Sequence, residues 1–255
     1  MSAVLELRHA RVRYGPLEAL HGVTLAAPGP GLTVLLGRNG SGRTSVLRAL
    51  AGTVPLSGGA VLWDGTDVTR LPAFRRARRG LCLVPERQAV FGSLTVRENL
   101  ELAIPAHGTA PPFTATPAHD TAPPRDTAPT PPSGTAPAYA PALDAYPQLR
   151  PLLARRAGTL SGGEQRMLAL SRALLARARV VLVDEPAQGL SPTVAARTYD
   201  LLGALDACVV VAEQRLPPGL RDRAAVVYEL RRGSVVFSGE AGEFRRREAA
   251  GRTRP

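Results

Sequence analysis

The chain has 255 residues, of which 44% are hydrophobic and 21% charged, and its formal net charge is +11. That length is enough for one sizeable domain, and the composition excludes a disordered chain, a collagen and a disulfide-rich secreted scaffold. All 32 side chains in the Lys+Arg count are arginine. A basic chain suggests a polyanion partner, but no nucleic-acid motif accompanies the arginines and aromatic side chains for base stacking are scarce. We therefore expect no nucleic-acid partner. We interpret the arginines at 75–79 as a solvated helix face, with contact to anionic lipid or a partner protein as the alternative.

The first hundred residues predict short strands and one helix. Residues 3–14 alternate in places and suggest a short antiparallel pair. Further strands are predicted at 23–27, 32–36, 60–63 and 81–84, and an amphipathic helix at 45–51. The strand at 60–63 ends in the turn Asp64-Gly65.

Residues 105–151 differ from the rest because they hold 13 of the 24 prolines, and Thr-Ala-Pro recurs there at irregular intervals. Proline removes helix donors, and a stretch built mainly from Pro, Ala and Thr buries too little apolar surface to offset the entropy of ordering. We expect a disordered, low-complexity insertion over 105–141.

Regular structure is predicted again from residue 162. Helices are expected at 162–178 and 192–204, doubly buried strands at 180–183 and 209–212, and a hairpin joining 226–230 to 234–238. A short Arg-rich helix lies in the basic tail at 241–255. Buried strands that alternate with helices imply a parallel sheet covered on both faces.

Both cysteines, Cys82 and Cys208, lie in apolar runs without metal-site spacing, which predicts buried thiols in a reducing compartment. The N-terminal residues do not form a signal-peptide pattern, and no apolar run is long enough to span a bilayer. We expect a cytoplasmic chain.

The strongest motif is Gly37-Arg38-Asn39-Gly40-Ser41-Gly42-Arg43-Thr44, with Ser45 next in the chain. It follows an apolar strand and opens a helix, with the spacing of a phosphate-binding loop. Its glycines let backbone N–H groups converge on phosphate oxygens, and Thr44 is placed to hold Mg²⁺ through its hydroxyl. Arg43 stands where such a loop has lysine. It keeps the charge on a longer, planar and forked side chain. The absence of lysine elsewhere makes a compositional origin as good an explanation as loss of activity.

Two carboxylates follow the buried strand at 180–183. Asp184 suits Mg²⁺, and Glu185 suits orienting or deprotonating an attacking water. An acidic strand end is the ordinary alternative, which the phosphate loop makes less attractive.

A third motif is Leu160-Ser161-Gly162-Gly163-Glu164-Gln165. Ser161 and Glu164 have the spacing of a helix capping box. The whole hexapeptide, however, resembles the signature motif of ABC ATPases, and the three motifs stand in the order found in that family.

The resemblance extends to residues outside these motifs. Tyr14 matches the aromatic that stacks on adenine, and Gly189-Leu190-Ser191-Pro192 matches the loop that crosses the dimer. Glu86 stands where many members have a glutamine that senses Mg²⁺, and Gln214 stands at the position of the switch histidine. Together with the sequence at 90–100, these residues are similar to the shorter ATP-binding subunit of branched-chain amino acid importers, which commonly has Glu and Gln there.

The resemblance implies a fold, a mechanism and partners. The fold is an α/β P-loop NTPase core with a RecA-like parallel sheet, an N-terminal antiparallel β subdomain and a reduced helical subdomain that carries the insertion, all in one domain over 1–255. ATP and Mg²⁺ bind between the phosphate loop of one subunit and Ser161, Gly162, Gly163 and Glu164 of a second ABC ATPase subunit, in a homo- or heterodimer. Thr44, Glu86 and Asp184 serve the metal, while Glu185 and Gln214 are catalytic. Membrane permease subunits hold the dimer on the inner face of the cell membrane, and a solute-binding protein acts indirectly.

Two alternatives remain open at this point. Arg43 and the replaced helical segment also fit a degenerate subunit that binds nucleotide weakly. The Pro-rich insertion at the expected docking site also fits an ABC ATPase that works without a membrane partner.

Overall fold

The computed structural model describes residues 3–87, 89–104 and 137–252. Its strands form two sheets, one of four strands in the order β2-β1-β4-β5 and one of six in the order β10-β9-β3-β8-β7-β6. The strands are β1 (Ala3–Tyr14), β2 (Leu17–Pro28), β3 (Gly31–Leu36), β4 (Gly58–Trp63), β5 (Thr66–Asp67), β6 (Leu81–Val84), β7 (Val180–Asp184), β8 (Cys208–Glu213), β9 (Ala224–Arg231) and β10 (Ser234–Gly239). The helices are α1 (Arg43–Ala51), α2 (Ala73–Arg78), α3 (Val96–Glu101), α4 (Ala140–Ala145), α5 (Gly162–Leu175), α6 (Pro192–Gly203) and α7 (Ala241–Arg252), with short 3-10 helices at Pro147–Leu152, Ala157–Thr159 and Pro218–Leu220.

The six-stranded sheet is the predicted parallel core. Strands β9, β3, β8, β7 and β6 run parallel, and β10 closes one edge as an antiparallel hairpin partner of β9. Successive side chains of a strand point to opposite faces, so β7 supplies two hydrophobic cores. Val180 and Leu182 pack with α1 and the antiparallel sheet, while Val181 and Val183 pack with α5 and α6. The α/β fold class predicted from the sequence is confirmed.

The antiparallel sheet corrects one prediction. Residues 3–14 form the single strand β1, which pairs with β2 on one side and β4 on the other. Several register shifts interrupt these ladders, and His9 within β1 has a φ of 48°. Such irregularities break the period-2 alternation, which is why the sequence suggested two short strands instead of one long one.

One helix is shorter than predicted, and two short helices were not predicted. Helix α5 ends at Leu175, three residues before the predicted end. Helix α2 lies where a helix face was predicted, whereas α3 and α4, with only six residues each, were missed because so short a segment shows too little of the helical period. Most of the predicted insertion lies outside the described residues, and α4 begins at Ala140 with Pro141 in its first turn, where proline is tolerated.

Arg76 departs from the predicted solvated arginine face at 75–79, whose other members, Arg75, Arg78 and Arg79, are exposed. Its side chain is 1% exposed. The guanidinium donates to the carbonyls of Ala49 and Leu50 at the end of α1, and to three further carbonyls at residues 68, 69 and 71. Arg76 is therefore a structural cation that joins the end of α1 to the segment between β5 and α2.

Three remaining features concern the predictions on the tail, the cysteines and membrane spans. The basic tail forms α7, which buries Phe244. Cys208 is buried as predicted, whereas Cys82 is only partly buried. Within the described ranges, every helix is too short or too polar to cross a membrane.

Candidate functional site

The phosphate loop joins β3 to α1 and is held from two sides. A Cβ at Gly37 would lie 2.4 Å from the Ser41 hydroxyl and 2.5 Å from a carbonyl oxygen of β9, so the backbone passes too closely for a side chain. The amide of Gly233, in the β9–β10 turn, donates to the Ser41 carbonyl at 2.9 Å, and the Gly233 carbonyl accepts from the His21 amide at 2.9 Å. The β9–β10 hairpin therefore fixes the loop against β2.

A cavity of about 450 Å³ lies over this loop. Its wall includes the predicted Tyr14, Gly40, Ser41, Gly42, Arg43, Thr44 and Ser45, together with Leu17, Glu18, Ala19, His21, Arg38, Arg232 and Gly233. The Tyr14 hydroxyl lies 3.4 Å from Ser45 Oγ, so the predicted base-stacking side chain stands beside the loop. Asn39 is exposed, and neither it nor Gly37 belongs to the cavity wall. Arg38 is part of the loop motif, whereas no sequence motif marks Glu18, His21 and Arg232, which only the fold brings to the loop.

Thr44, at the start of α1, meets Asp184, at the end of β7. Thr44 Oγ1 donates to Asp184 Oδ2 at 2.8 Å, while Asp184 Oδ1 is buried and has no hydrogen-bond partner in the described parts of the chain. Burial raises the pKa of Asp184, and the Thr44 bond partly opposes that rise. A hydroxyl beside an unsatisfied carboxylate oxygen fits Mg²⁺, which takes a few protein oxygens and completes its shell with phosphates and water. Accordingly, the described residues contain no cluster of three or more His, Cys, Asp or Glu side chains able to hold a metal alone.

Arg43, Glu185 and Gln214 form a second group beside the first. Arg43 Nη2 donates to Glu185 Oε1 at 2.8 Å, and Gln214 Nε2 lies 3.2 and 3.3 Å from the two Glu185 oxygens. The Arg43 and Glu185 side chains are only 6% and 11% exposed. Arg43 Nη1 is also buried, and no partner for it exists among the described residues. The structure thus gives the arginine a carboxylate partner that the sequence did not predict.

The signature residues stand away from this cavity in the single chain. Ser161 and Glu164 form the predicted capping box, in which the Ser161 amide donates to Glu164 Oε2 at 2.7 Å, and this bond lowers the pKa of Glu164. Gly163 packs so closely that a Cβ would lie 2.8 Å from the Gly189 carbonyl oxygen. Gly162 lines a separate cavity of about 360 Å³.

Glu86 lies in the wall of that separate cavity. Its Oε1 accepts from Gln188 Nε2 at 3.3 Å, and its negative charge helps to raise the pKa of Asp184. The structure therefore places Glu86 near the predicted metal site but gives it no direct contact with Thr44 or Asp184 in the described contacts.

Arg166 is a site residue that sequence reasoning missed. It is buried on α5 and donates to the carbonyls of Pro85 at 2.7 Å, Pro186 at 3.3 Å and Asp184. These carbonyls lie at the carboxyl ends of β6 and β7, so one guanidinium ties the signature helix to the acidic strand. Its position just after the signature motif was the only signal in the sequence.

Glu213 is a further buried acid at this end of the sheet. Tyr199 donates its hydroxyl proton to Glu213 Oε1 at 2.6 Å, and burial raises the pKa of Glu213. The sequence offered no sign of this pair, because Tyr199 comes from α6 and Glu213 from the end of β8.

The comparison with protein families decides the assignment. The family model described as "ABC transporter" matches residues 20–188, a span that contains the phosphate loop, the signature motif and Asp184-Glu185. The chain belongs to the ABC transporter family. The resemblance inferred from the three motifs is confirmed.

Curated ABC relatives cover most of this chain. It is 33% identical over 237 residues to the "Probable branched-chain amino acid transport ATP-binding protein LivF" of Archaeoglobus fulgidus, covering 91% of this chain and 89% of that protein. It is 31% identical over 229 residues to the "High-affinity branched-chain amino acid transport ATP-binding protein BraG" of Pseudomonas aeruginosa, covering 88% and 87%. A solved "nucleotide-free ATP-binding cassette from an ABC transporter" superposes with a TM-score of 0.74 at 20% identity, covering 98% and 96%, which shows a shared fold.

Proposed function

We propose that this chain is the ATP-binding and ATP-hydrolysing subunit of an ABC importer, a single ABC ATPase domain that powers uptake of branched-chain amino acids or a similar small polar solute. One observation carries the proposal. The first two residues of α1, Arg43 and Thr44, line a cavity of a size suited to a nucleotide and contact the two successive acids Asp184 and Glu185, which do not line it.

ATP is bound along the phosphate loop. Tyr14, which is 38% exposed, offers an aromatic face for adenine. The loop amides and the N-terminus of α1 direct positive potential at the phosphates, and the buried Arg43 adds a full charge. Asn39, Gly40, Ser41, Gly42 and Ser45 complete this phosphate cradle.

Mg²⁺ is held by the Thr44 hydroxyl and Asp184, and when bound it neutralises negative charge on the phosphates. The unsatisfied Asp184 Oδ1 supports this role, because a buried carboxylate oxygen without a partner is costly. Glu86 acts on the same ion through its charge, which reaches Asp184.

Glu185 is the base that orients the attacking water. The water oxygen forms a bond to the γ-phosphorus, the bond to the bridging oxygen breaks, ADP leaves and the water proton passes to the carboxylate. Gln214 holds Glu185 through both carboxylate oxygens, and so it takes the positioning role of the switch residue.

A second ABC ATPase subunit completes the site. Ser161 and Gly162 are exposed, Gly163 and Glu164 are half-buried, and none of the four lines the cavity over their own phosphate loop. This arrangement supports a head-to-tail dimer in which the α5 N-terminus of one subunit faces the nucleotide of the other.

The importer assignment rests on the relatives. Both named proteins are branched-chain amino acid transport ATP-binding proteins, and alignment covers about nine-tenths of this chain in each case. We infer permease subunits as membrane partners, a solute-binding protein as an indirect one, and a cytoplasmic location on the inner face of the membrane.

A degenerate nucleotide-binding subunit is the second candidate. The 2.8 Å Arg43–Glu185 ion pair favours it, because a base already bound to a guanidinium has one lone pair fewer for water. In that case the chain binds ATP and relies on a competent partner for turnover.

Hydrolysis by the purified full chain distinguishes the two candidates. We expect Mg²⁺-dependent phosphate release that disappears in Glu185→Gln and in EDTA, with ATP binding retained in Glu185→Gln. Binding without hydrolysis in the wild type identifies the degenerate subunit. Co-purification with the membrane proteins encoded by neighbouring genes, assayed after mild detergent extraction, tests the importer assignment, and the consistent absence of a permease contradicts it.

A further inference from the structure

The two η nitrogens of Arg43 have different surroundings. Nη2 is bound to Glu185 Oε1 at 2.8 Å, whereas Nη1 is buried without a partner in the described residues. The Arg43 side chain is only 6% exposed, so solvent does not satisfy the unpartnered nitrogen. An orphaned buried donor is rare and calls for an acceptor.

The position of Arg43 indicates which acceptor that is. Arg43 opens α1 and lines the cavity over the phosphate loop, and the adjacent Thr44 contacts Asp184. The cavity also has Arg38 and Arg232 in its wall. A phosphate oxygen is the acceptor that suits such surroundings, and a guanidinium fork can bind two oxygen acceptors with fixed geometry.

The hydrogen bonds that Glu185 already accepts show how many more it can accept. Among the described residues, Oε1 receives Arg43 and Gln214, while Oε2 receives Gln214 alone, at 3.3 Å. A carboxylate has about four lone-pair sites, so Oε2 keeps one that is open to a water proton.

From these contacts we infer that Arg43 is a positioning residue that bridges the terminal phosphate and the general base. Nη1 binds a γ-phosphate oxygen while Nη2 keeps Glu185 Oε1, so that Oε2 faces the water in line with the phosphorus. This inference rests on the proposed ATP hydrolysis. It makes the arginine an adapted part of the site, because a lysine ammonium is a compact point charge without the planar fork.

The test is Arg43→Lys in the full chain, with Arg48→Lys as the matched control. Arg48 is exposed on the same helix. Affinity for the non-hydrolysable analogue AMP-PNP with Mg²⁺ is measured by calorimetry, and kcat at saturating ATP is measured by phosphate release. Since the charge is kept and one charge-assisted bond is lost, we expect the Kd of Arg43→Lys within about threefold of wild type and kcat at least about tenfold lower. Arg48→Lys changes neither. An unchanged or higher kcat in Arg43→Lys overturns the inference.

A binding cycle separates this inference from the proposed function. AMP-PNP affinity in EDTA is measured for the wild type, Arg43→Lys, Glu185→Gln and the double variant, with thermal unfolding to verify that each folds. If Arg43 couples the phosphate to Glu185, the effect of Glu185→Gln on Kd differs by at least about fivefold between the two backgrounds. Equal effects overturn the inference even if the wild type hydrolyses ATP. Unequal effects in a wild type that hydrolyses nothing support the contact and contradict the proposed activity.

Discussion

Replacing Arg76 with methionine removes a buried cation and leaves its acceptors behind. The guanidinium makes five hydrogen bonds of 2.7 to 3.1 Å to backbone carbonyls. The carbonyls at 49 and 68 also accept backbone amides, whereas those at 50, 69 and 71 have no other partner among the described backbone and side-chain contacts. Each buried acceptor left unsatisfied costs about 1–3 kcal/mol.

Burial of the cation reduces the net loss. It lowers the pKa of Arg76 to about 10, which shows that the charged form is held at a desolvation cost. Taking the low end of the range for three orphaned carbonyls, we expect Arg76→Met to lower the free energy of unfolding by about 3 kcal/mol. That is a large fraction of the total stability of an ordinary domain.

Urea unfolding followed by circular dichroism measures this loss, and Arg75→Met is the control. Arg75 is exposed on the same helix and contacts only the ring of Phe74 in the described contacts, so we expect a change below about 0.5 kcal/mol. The free energy of unfolding of Arg76→Lys should lie between those of Arg76→Met and Arg75→Met, because one ammonium cannot reach both groups of carbonyls. A free energy of unfolding for Arg76→Met within 1 kcal/mol of the wild-type value would refute the hydrogen-bond argument.

Three further outcomes are expected. Burial raises the folded-state pKa of Glu213 above its unfolded value, so the stability that this side chain contributes is greatest below the unfolded pKa and is lost as pH rises through the folded pKa. Glu213→Gln removes this loss. In urea unfolding, the free energy of unfolding of Glu213→Gln relative to wild type should therefore grow between pH 5 and pH 8 and not shrink. Gly163→Ala should lower the free energy of unfolding by about 1–2 kcal/mol, since the new Cβ lies 2.8 Å from the Gly189 carbonyl oxygen. Gly162→Ala has open space around its Cβ and should leave the melting temperature unchanged or higher. Equal melting temperatures for the two variants contradict the packing argument. Tyr14→Ala should weaken AMP-PNP binding about tenfold or more, while Tyr14→Phe keeps the stacking face and stays within about twofold in calorimetry; a similar loss in both would assign the effect to the hydroxyl.

The sequence predicted the parallel core well, because its strands are continuous apolar runs that end at turns or acids. The buried strands β3, β7 and β8 were each located to within one or two residues. Strand β1 was misjudged, because its bulges hide a period that only the pairing with two neighbours restores.

The candidate site was predictable as far as it follows local motifs. The phosphate loop and Asp184-Glu185 were identified as separate segments, and their spacing along the chain gave no information on which atoms meet. The Arg43–Glu185 contact joins residues 142 positions apart and depends on how α1 lies over the sheet. Arg76 shows the same limit, since a run of arginines on a short helix does not reveal which one is turned inward.

The hydrogen bonds between the β9–β10 hairpin and the phosphate loop have a consequence for folding during synthesis. Gly233 follows the loop by about 190 residues, yet its amide and carbonyl join Ser41 to His21. During synthesis from the N-terminus, the phosphate-loop motif leaves the ribosome long before the residues that hydrogen-bond to it. The loop therefore reaches its final conformation only after β9 and β10 have been synthesised. On the proposed function, nucleotide binding would therefore stabilise finished chains more than nascent or truncated ones.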